Sequence, residues 1–161
     1  MKRITATAIG LLLAAGLALA APKSEPMDLA HRYFAATDEA GLANIWQDWH
    51  PDAVHAITIK YGMGQPDDQF SYKMADWETT PNWTDDPDYA DAMRGYAETF
   101  RKDPSFRTKQ ADDGTVVTAT TWVSYLWRGY LGQMKQTDRF LIVNHLGAPV
   151  IRALTTTIDY R

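Results

Sequence analysis

Apolar positions recur every three or four residues in the first third of the chain and every second residue in its last third. In "MDLAHRYFAATD" Leu29, Tyr33 and Ala36 fall at helical spacing, and in "EAGLANIWQDWH" Leu42, Ile45, Trp46 and Trp49 share one face. Pro51 is expected to stop this second helix. "DAVHAITIKY" then alternates β-branched and other residues, which predicts a strand of about eight residues. A third helix is predicted from Asp86-Pro87, an N-cap residue followed by proline at the first helical position. Tyr89, Met93, Tyr96 and Phe100 form its expected buried stripe, and Pro104 lies just past its end. Four strand-like runs follow: "FRTKQ", "TVVTATTWVSYLWRGY", "GQMKQTDRFLIVNH" and "VIRALTTTIDY", with the turns "ADDG" and "LGAP" at two of the joins. The expected fold is α+β, three helices from the N-terminal half packed on one face of a curved, mainly antiparallel sheet.

Residues 62–88 interrupt this pattern. The stretch is acidic, carries Phe70, Tyr72, Trp77 and Trp83, and exceeds an ordinary connector in length. Four large aromatics want a surface to pack on, so it is expected to be a loop or flap over an opening, with a wrap over the sheet edge as the alternative.

Charge and the first residues narrow the class. Lys2 and Arg3, the apolar run Ile9–Ala18 and the "ALA" at 18–20 have the parts of a secretory signal peptide over residues 1–20. The single domain is then 21–161, periplasmic or secreted, with no membrane association after cleavage. Taking Lys2 and Arg3 from 16 cations leaves 14 against 20 acids, a net charge of −6 that argues against a nucleic-acid partner. The chain has no cysteine, so packing must hold the fold without disulfides.

The stretch "RYFAATDEAGLANIWQDWHPDAVHAI" resembles the opening of the NTF2-like superfamily, SnoaL-like cyclases and ketosteroid isomerases among them. The shared pattern is an Arg-Tyr-aromatic helix, a small-residue turn, a helix with spaced apolar residues, and an acid-Ala pair entering the first strand. The resemblance implies a cone-shaped α+β domain that hosts enzymes, binders and association modules alike. It places Tyr33 where ketosteroid isomerases keep the tyrosine that donates to the developing enolate oxygen. Their carboxylate base, however, would fall on Ile57, and two residues on stands Ile59. Isoleucine takes no proton, so steroid isomerisation by that mechanism is not expected.

If position 57 faces the cone, so do His55, Ile59 and Tyr61. A neutral His55 opposite Tyr33 is the sharpest catalytic pairing, with His55 as general base and Tyr33 as oxyanion donor. The competing reading is a histidine hydrogen-bonded within the core at the mouth of the sheet. The run His50-x-Asp52-x-x-His55 has the residue types of a metal site, but no fourth ligand is evident, and His50 and Asp52 suit a helix end and a corner. No metal and no cofactor is expected. His31 and His145 are expected at a helix edge and a strand tip. Asp138 and Arg139 are read as an ion pair or as pocket lining, Asp159 as exposed.

The expected function is binding of a small, largely hydrophobic molecule in an aromatic-lined cone. Its lining would come from Trp46, Ile57, Ile59, Tyr61, Trp77, Trp83, Tyr96 and Trp122. The alternatives are a lyase-, isomerase- or cyclase-type enzyme using His55 and Tyr33, and an association module whose pocket is filled by its own side chains. The acidic, tryptophan-bearing loop leaves room for a cationic or sugar-like ligand. In "TWVSYLWRGY" Trp122, Ser124, Leu126 and Arg128 lie on one face and Val123, Tyr125 and Trp127 on the other, and the sequence leaves open which lines the cone. An aromatic-rich strand fits a ligand cavity and a homodimer through the outer sheet face equally.

Overall fold

The computed structural model describes residues 25–36, 41, 45–79, 87, 91 and 94–161, the backbone alone at 77–79. The expected signal peptide and Leu42, Trp83, Tyr89 and Met93 lie outside them. Helix α1, Pro26–Ala35, opens with proline at its first position, and the Glu25 N–H donates to the Asp28 carboxylate at 3.1 Å. Leu29 and Ala30 are buried, and Tyr33 and Phe34 complete the same apolar stripe one turn on.

Seven strands follow: β1 (Trp49–Lys60), β2 (Asp68–Lys73), β3 (Tyr96–Arg101), β4 (Ser105–Ala111), β5 (Gly114–Trp127), β6 (Tyr130–His145) and β7 (Ala148–Tyr160). They make one curved sheet in the order β2-β1-β7-β6-β5-β3, with β4 also paired to β5. Every pair is antiparallel except β1 with β7. The expected α+β class and mainly antiparallel sheet are present. The three expected helices are not: among the described residues there is one complete α-helix, with 3-10 turns over Trp46–Asp48 and Met74–Thr79.

Three assignments change accordingly. Trp49, His50 and Pro51 belong to β1 instead of ending a helix, because Trp49 pairs with Ile151 and buries its ring in the core. Pro51 is tolerated there because it falls between Trp49 and Val54, where the β1–β7 ladder slips and gives it no register partner on β7. Pro87 and Asp91 are helical as expected, but Tyr96 and Phe100 lie in β3, where they face β5 and are not a buried helical stripe. Inside 62–88, Asp68–Lys73 is an edge strand on β1 and not loop. Its alternating Phe70 and Tyr72 meet Ile57 and His55 across the pair.

The core fills the concave face beneath α1. Val117 and Ala119 of β5, Phe140 and Ile142 of β6, and Ile151 and Leu154 of β7 meet Leu29, Ala30, Trp49 and Met74. Tyr33 sits edge-on to Phe140 at 5.2 Å, and Phe34 edge-on to Phe106 at 5.7 Å. Arg32 ties α1 to the 3-10 turn Trp46–Asp48 by two bonds to Asp48, 3.0 and 2.9 Å.

Gly114 opens β5 where a Cβ would run into the backbone carbonyl of Ile142 on β6. Backbone cannot swing aside as a side-chain tip can. Gly114→Ala should therefore cost about 1–3 kcal/mol, seen as a lower midpoint of urea unfolding. An unchanged midpoint would mean that the strands part there without strain.

Candidate active site

Alternation along the strands decides what lies in the cone. On β1 the inward positions are Ala53, His55, Ile57 and Ile59, as the sequence phase predicts. On β6 they are Met134, Gln136, Asp138 and Phe140, and on β7 Leu154, Thr156 and Ile158. Four of these polar groups connect in a line with the inward Tyr72 of β2.

Thr156 Oγ1 donates to Asp138 Oδ1 at 2.6 Å, and Gln136 Nε2 donates to Asp138 Oδ2 at 2.9 Å. The threonine proton is thereby committed, so His55 Nε2, 2.9 Å away, must be the donor to Thr156 Oγ1. His55 Nδ1 then carries the lone pair that accepts from the Tyr72 hydroxyl at 2.5 Å. Tyr72 to His55 to Thr156 to Asp138 is a directed chain ending on a carboxylate that is 1% exposed. His55 has both ring nitrogens bonded, as the reading of a hydrogen-bonded core histidine requires, but its partners are side chains that can exchange protons.

Electrostatics follow from burial. Desolvation pushes His55 down to about 4, so the ring is neutral at pH 7. Desolvation also raises Asp138 above the usual carboxylate range, against the opposing bonds from Thr156 and Gln136 and the charge of Arg101. Tyr72 is pushed up to about 12 by burial and stays a phenol. Tyr33 is raised as well, first by burial and then by the nearby Asp138 and Tyr72. Its hydroxyl has no hydrogen-bond partner among the described residues; the phenol bonded to His55 is Tyr72.

Beyond this chain the concave face carries a run of tyrosines. Tyr61, Tyr160, Tyr125 and Tyr96 follow one another with ring centroids 5.9, 5.7 and 5.5 Å apart. Gly132 makes room for one of them, since a Cβ there would strike the Tyr125 ring. Between tyrosines and core lie Ile57 and Ile59, both part-exposed, and Thr121, whose buried hydroxyl has no partner among the described residues.

Of the expected lining, Ile57, Ile59, Tyr61 and Tyr96 are on this face. Trp122 is not. Its neighbours Thr121 and Val123 are the buried ones, which turns the indole to the outer side of the sheet. Trp46 is 39% exposed in its 3-10 turn. The side chains of Trp77 and Trp83 lie outside the described residues. His50, Asp52 and His55 do not converge: His50 Nδ1 accepts from the Asp52 N–H at 3.0 Å while its ring meets His145 at 4.5 Å. His31 lies against Phe106 at the helix edge. Asp138 and Arg139 point to opposite faces, one buried and one exposed, so they form no pair.

Tyr72 and Thr156 were not legible as site residues, because they reach His55 from 17 and 101 positions away. Asp138 did leave a signal: an acid at the core-facing phase of "DRFLIVN", in step with Phe140 and Ile142.

No protein-family model and no curated protein matches the chain. Solved structures are similar to it in overall shape. A ketosteroid isomerase-like protein of Erwinia carotovora atroseptica is 15% identical over 82% of this chain and 92% of its own, with a TM-score of 0.45. An NTF2-like protein with a cystatin-like fold from Novosphingobium aromaticivorans is 14% identical over 81% and 77%, with a TM-score of 0.44. The beta subunit of the benzoate 1,2-dioxygenase of Burkholderia mallei is 11% identical over 84% and 91%, with a TM-score of 0.45. At these scores no shared activity follows, and the chemistry rests on the site's own geometry.

Proposed function

We infer that the protein takes up a small, largely apolar molecule against the tyrosine-lined half of its concave face and moves a proton on it, as a lyase or isomerase does. The observation that carries this reading is the directed chain from Tyr72 to Asp138. A lone imidazole with a pKa of about 4 is a poor base at pH 7. Joined to a carboxyl whose pKa is pushed up by burial, it need not keep the proton.

The transfer balances without a free charge on the ring. Tyr72 Oη accepts the proton leaving the substrate carbon as its own passes to His55 Nδ1. The Nε2 proton moves to Thr156, and the threonine proton moves to Asp138. Every hydrogen bond in the chain is then reversed, Asp138 is neutral, and the substrate carries the negative charge. Tyr33 is the unpaired donor for that charge. Running the chain backwards returns the proton to another carbon or to a leaving hydroxyl.

A series of cyclic ketones of increasing size, incubated in D2O, tests this. The protein should speed deuterium uptake beside the carbonyl, and Asp138→Asn should cut that acceleration by roughly a hundredfold while the ketone still binds. No acceleration by the parent protein, or equal rates in the Asp138→Asn variant, would remove the reading.

A further inference from the structure

The outer face of the sheet is chemically unlike the rest of the molecule. The chain has 20 acids and 16 Lys or Arg residues. Yet six cations, Lys60, Lys73, Arg107, Lys109, Lys135 and Arg139, occupy paired positions on the outward phase of β1, β2, β4 and β6. Arg161 adds a seventh, its guanidinium 5.2 Å from the Trp122 ring. Among the described residues Asp159 is the one acid at a paired outward position, and it is bonded to Arg161 at 3.1 Å.

Register arranges the other outward groups in rows. Ser105, Thr120, Thr137, Thr157 and Thr58 stand side by side across five strands. On one side of this hydroxyl row lie Arg107, Thr118 and Arg139; on the other lie Trp122 and Lys135. A trough of about 400 Å³ runs over the three rows between β4 and β6. Two residues of strand separate neighbouring rows, so the two cationic rows are about 14 Å apart at the backbone.

We propose that this trough binds an acidic saccharide, its carboxylates on the two cationic rows and its hydroxyls on the serine–threonine row between them. The spacing suits a short oligomer and leaves a lone phosphate in reach of one row only. Backbone N–H groups, the usual cradle for phosphate, are consumed by the sheet ladder. Single-stranded nucleic acid wants bare aromatic faces, and Trp122 already carries Arg161. A second copy of the chain would bring the same cations face to face.

Calorimetric titration with tetragalacturonate, and with its uncharged methyl ester, decides the matter. The acid should bind, weaken as salt is raised, and outcompete a thymidine oligonucleotide of equal charge. The ester should bind at least roughly tenfold more weakly, and Arg107→Gln with Lys135→Gln should cause a similar loss at an unchanged unfolding midpoint. No binding of the acid, equal binding of the ester, or indifference to the double substitution would overturn the proposal. Tighter binding of the oligonucleotide would assign the face to nucleic acid. A dimer in sedimentation that Thr137→Arg dissociates would assign it to self-association.

Discussion

Acidifying the protein from pH 6.5 to 4 should cost on the order of 3 kcal/mol through His55 alone, and His55→Gln should abolish that part of the loss. The imidazole of the unfolded chain takes a proton near 6.5, whereas the buried ring resists until about 4. Across that window the unfolded state holds more protons, so stability rises with pH and falls as pH drops. The contribution is complete above 6.5. Asp138 works with the opposite sign: its folded pKa is raised, so the folded state holds the extra proton and stability falls as pH climbs through that value. The parent curve is the sum of the two. Urea unfolding of parent and His55→Gln at matched pH isolates the histidine as the difference, and parallel curves would show that His55 titrates normally.

Phe140→Ala should cost about 3–5 kcal/mol, the largest loss expected from any single truncation in this core. Phe140 is fully buried, pairs with Leu154 and Val117 across the sheet, and carries Tyr33 on its ring. Removing it leaves a cavity under α1 that strands held on both sides cannot close. The helix loses its seat, and Tyr33 moves with it. Proton transfer should therefore fall further than the lost stability accounts for. Phe100→Ala is the control: that ring is 62% exposed, and its removal should change stability by less than about 0.5 kcal/mol. Unfolding midpoints of the two variants, compared with the parent, give the test.

The last third of the fold was legible because its strands are long, rich in Val and Thr, and separated by turns with glycine. "ADDG" and "LGAP" fall at the β4–β5 and β6–β7 joins as read. The inward phase of His55, Ile57 and Ile59 was also legible, since alternation fixes a whole strand once one position is placed. The first half misled for a physical reason. Gly41 and Ile45 are helical and Trp46 lies in a 3-10 turn, in keeping with the helical spacing. But β7 offers Trp49 a ladder and a core, and there tertiary pairing overrode local period. Tyr96 and Phe100 failed in the same way, claimed by β5. The site was half legible: His55 stood out, but Tyr72 and Thr156 become its partners only through a strand order that no local pattern encodes.

The parallel pairing of β1 with β7 has a consequence in time. Val54 meets Ala153 and Lys60 meets Asp159, so β1, which can pair early with β2, waits for β7 before its second ladder can form. During synthesis β4, β5 and β6 can close as neighbouring hairpins, leaving β6 as a long open edge until β7 arrives. Such an edge invites pairing with another chain. Closure over nearly a hundred intervening residues is also slow compared with a hairpin turn. His55 meets Thr156 in that closing step, so the proton path forms only once β7 has docked beside β1. Chains that stop before β7 should be aggregation-prone fragments rather than weakened versions of the whole.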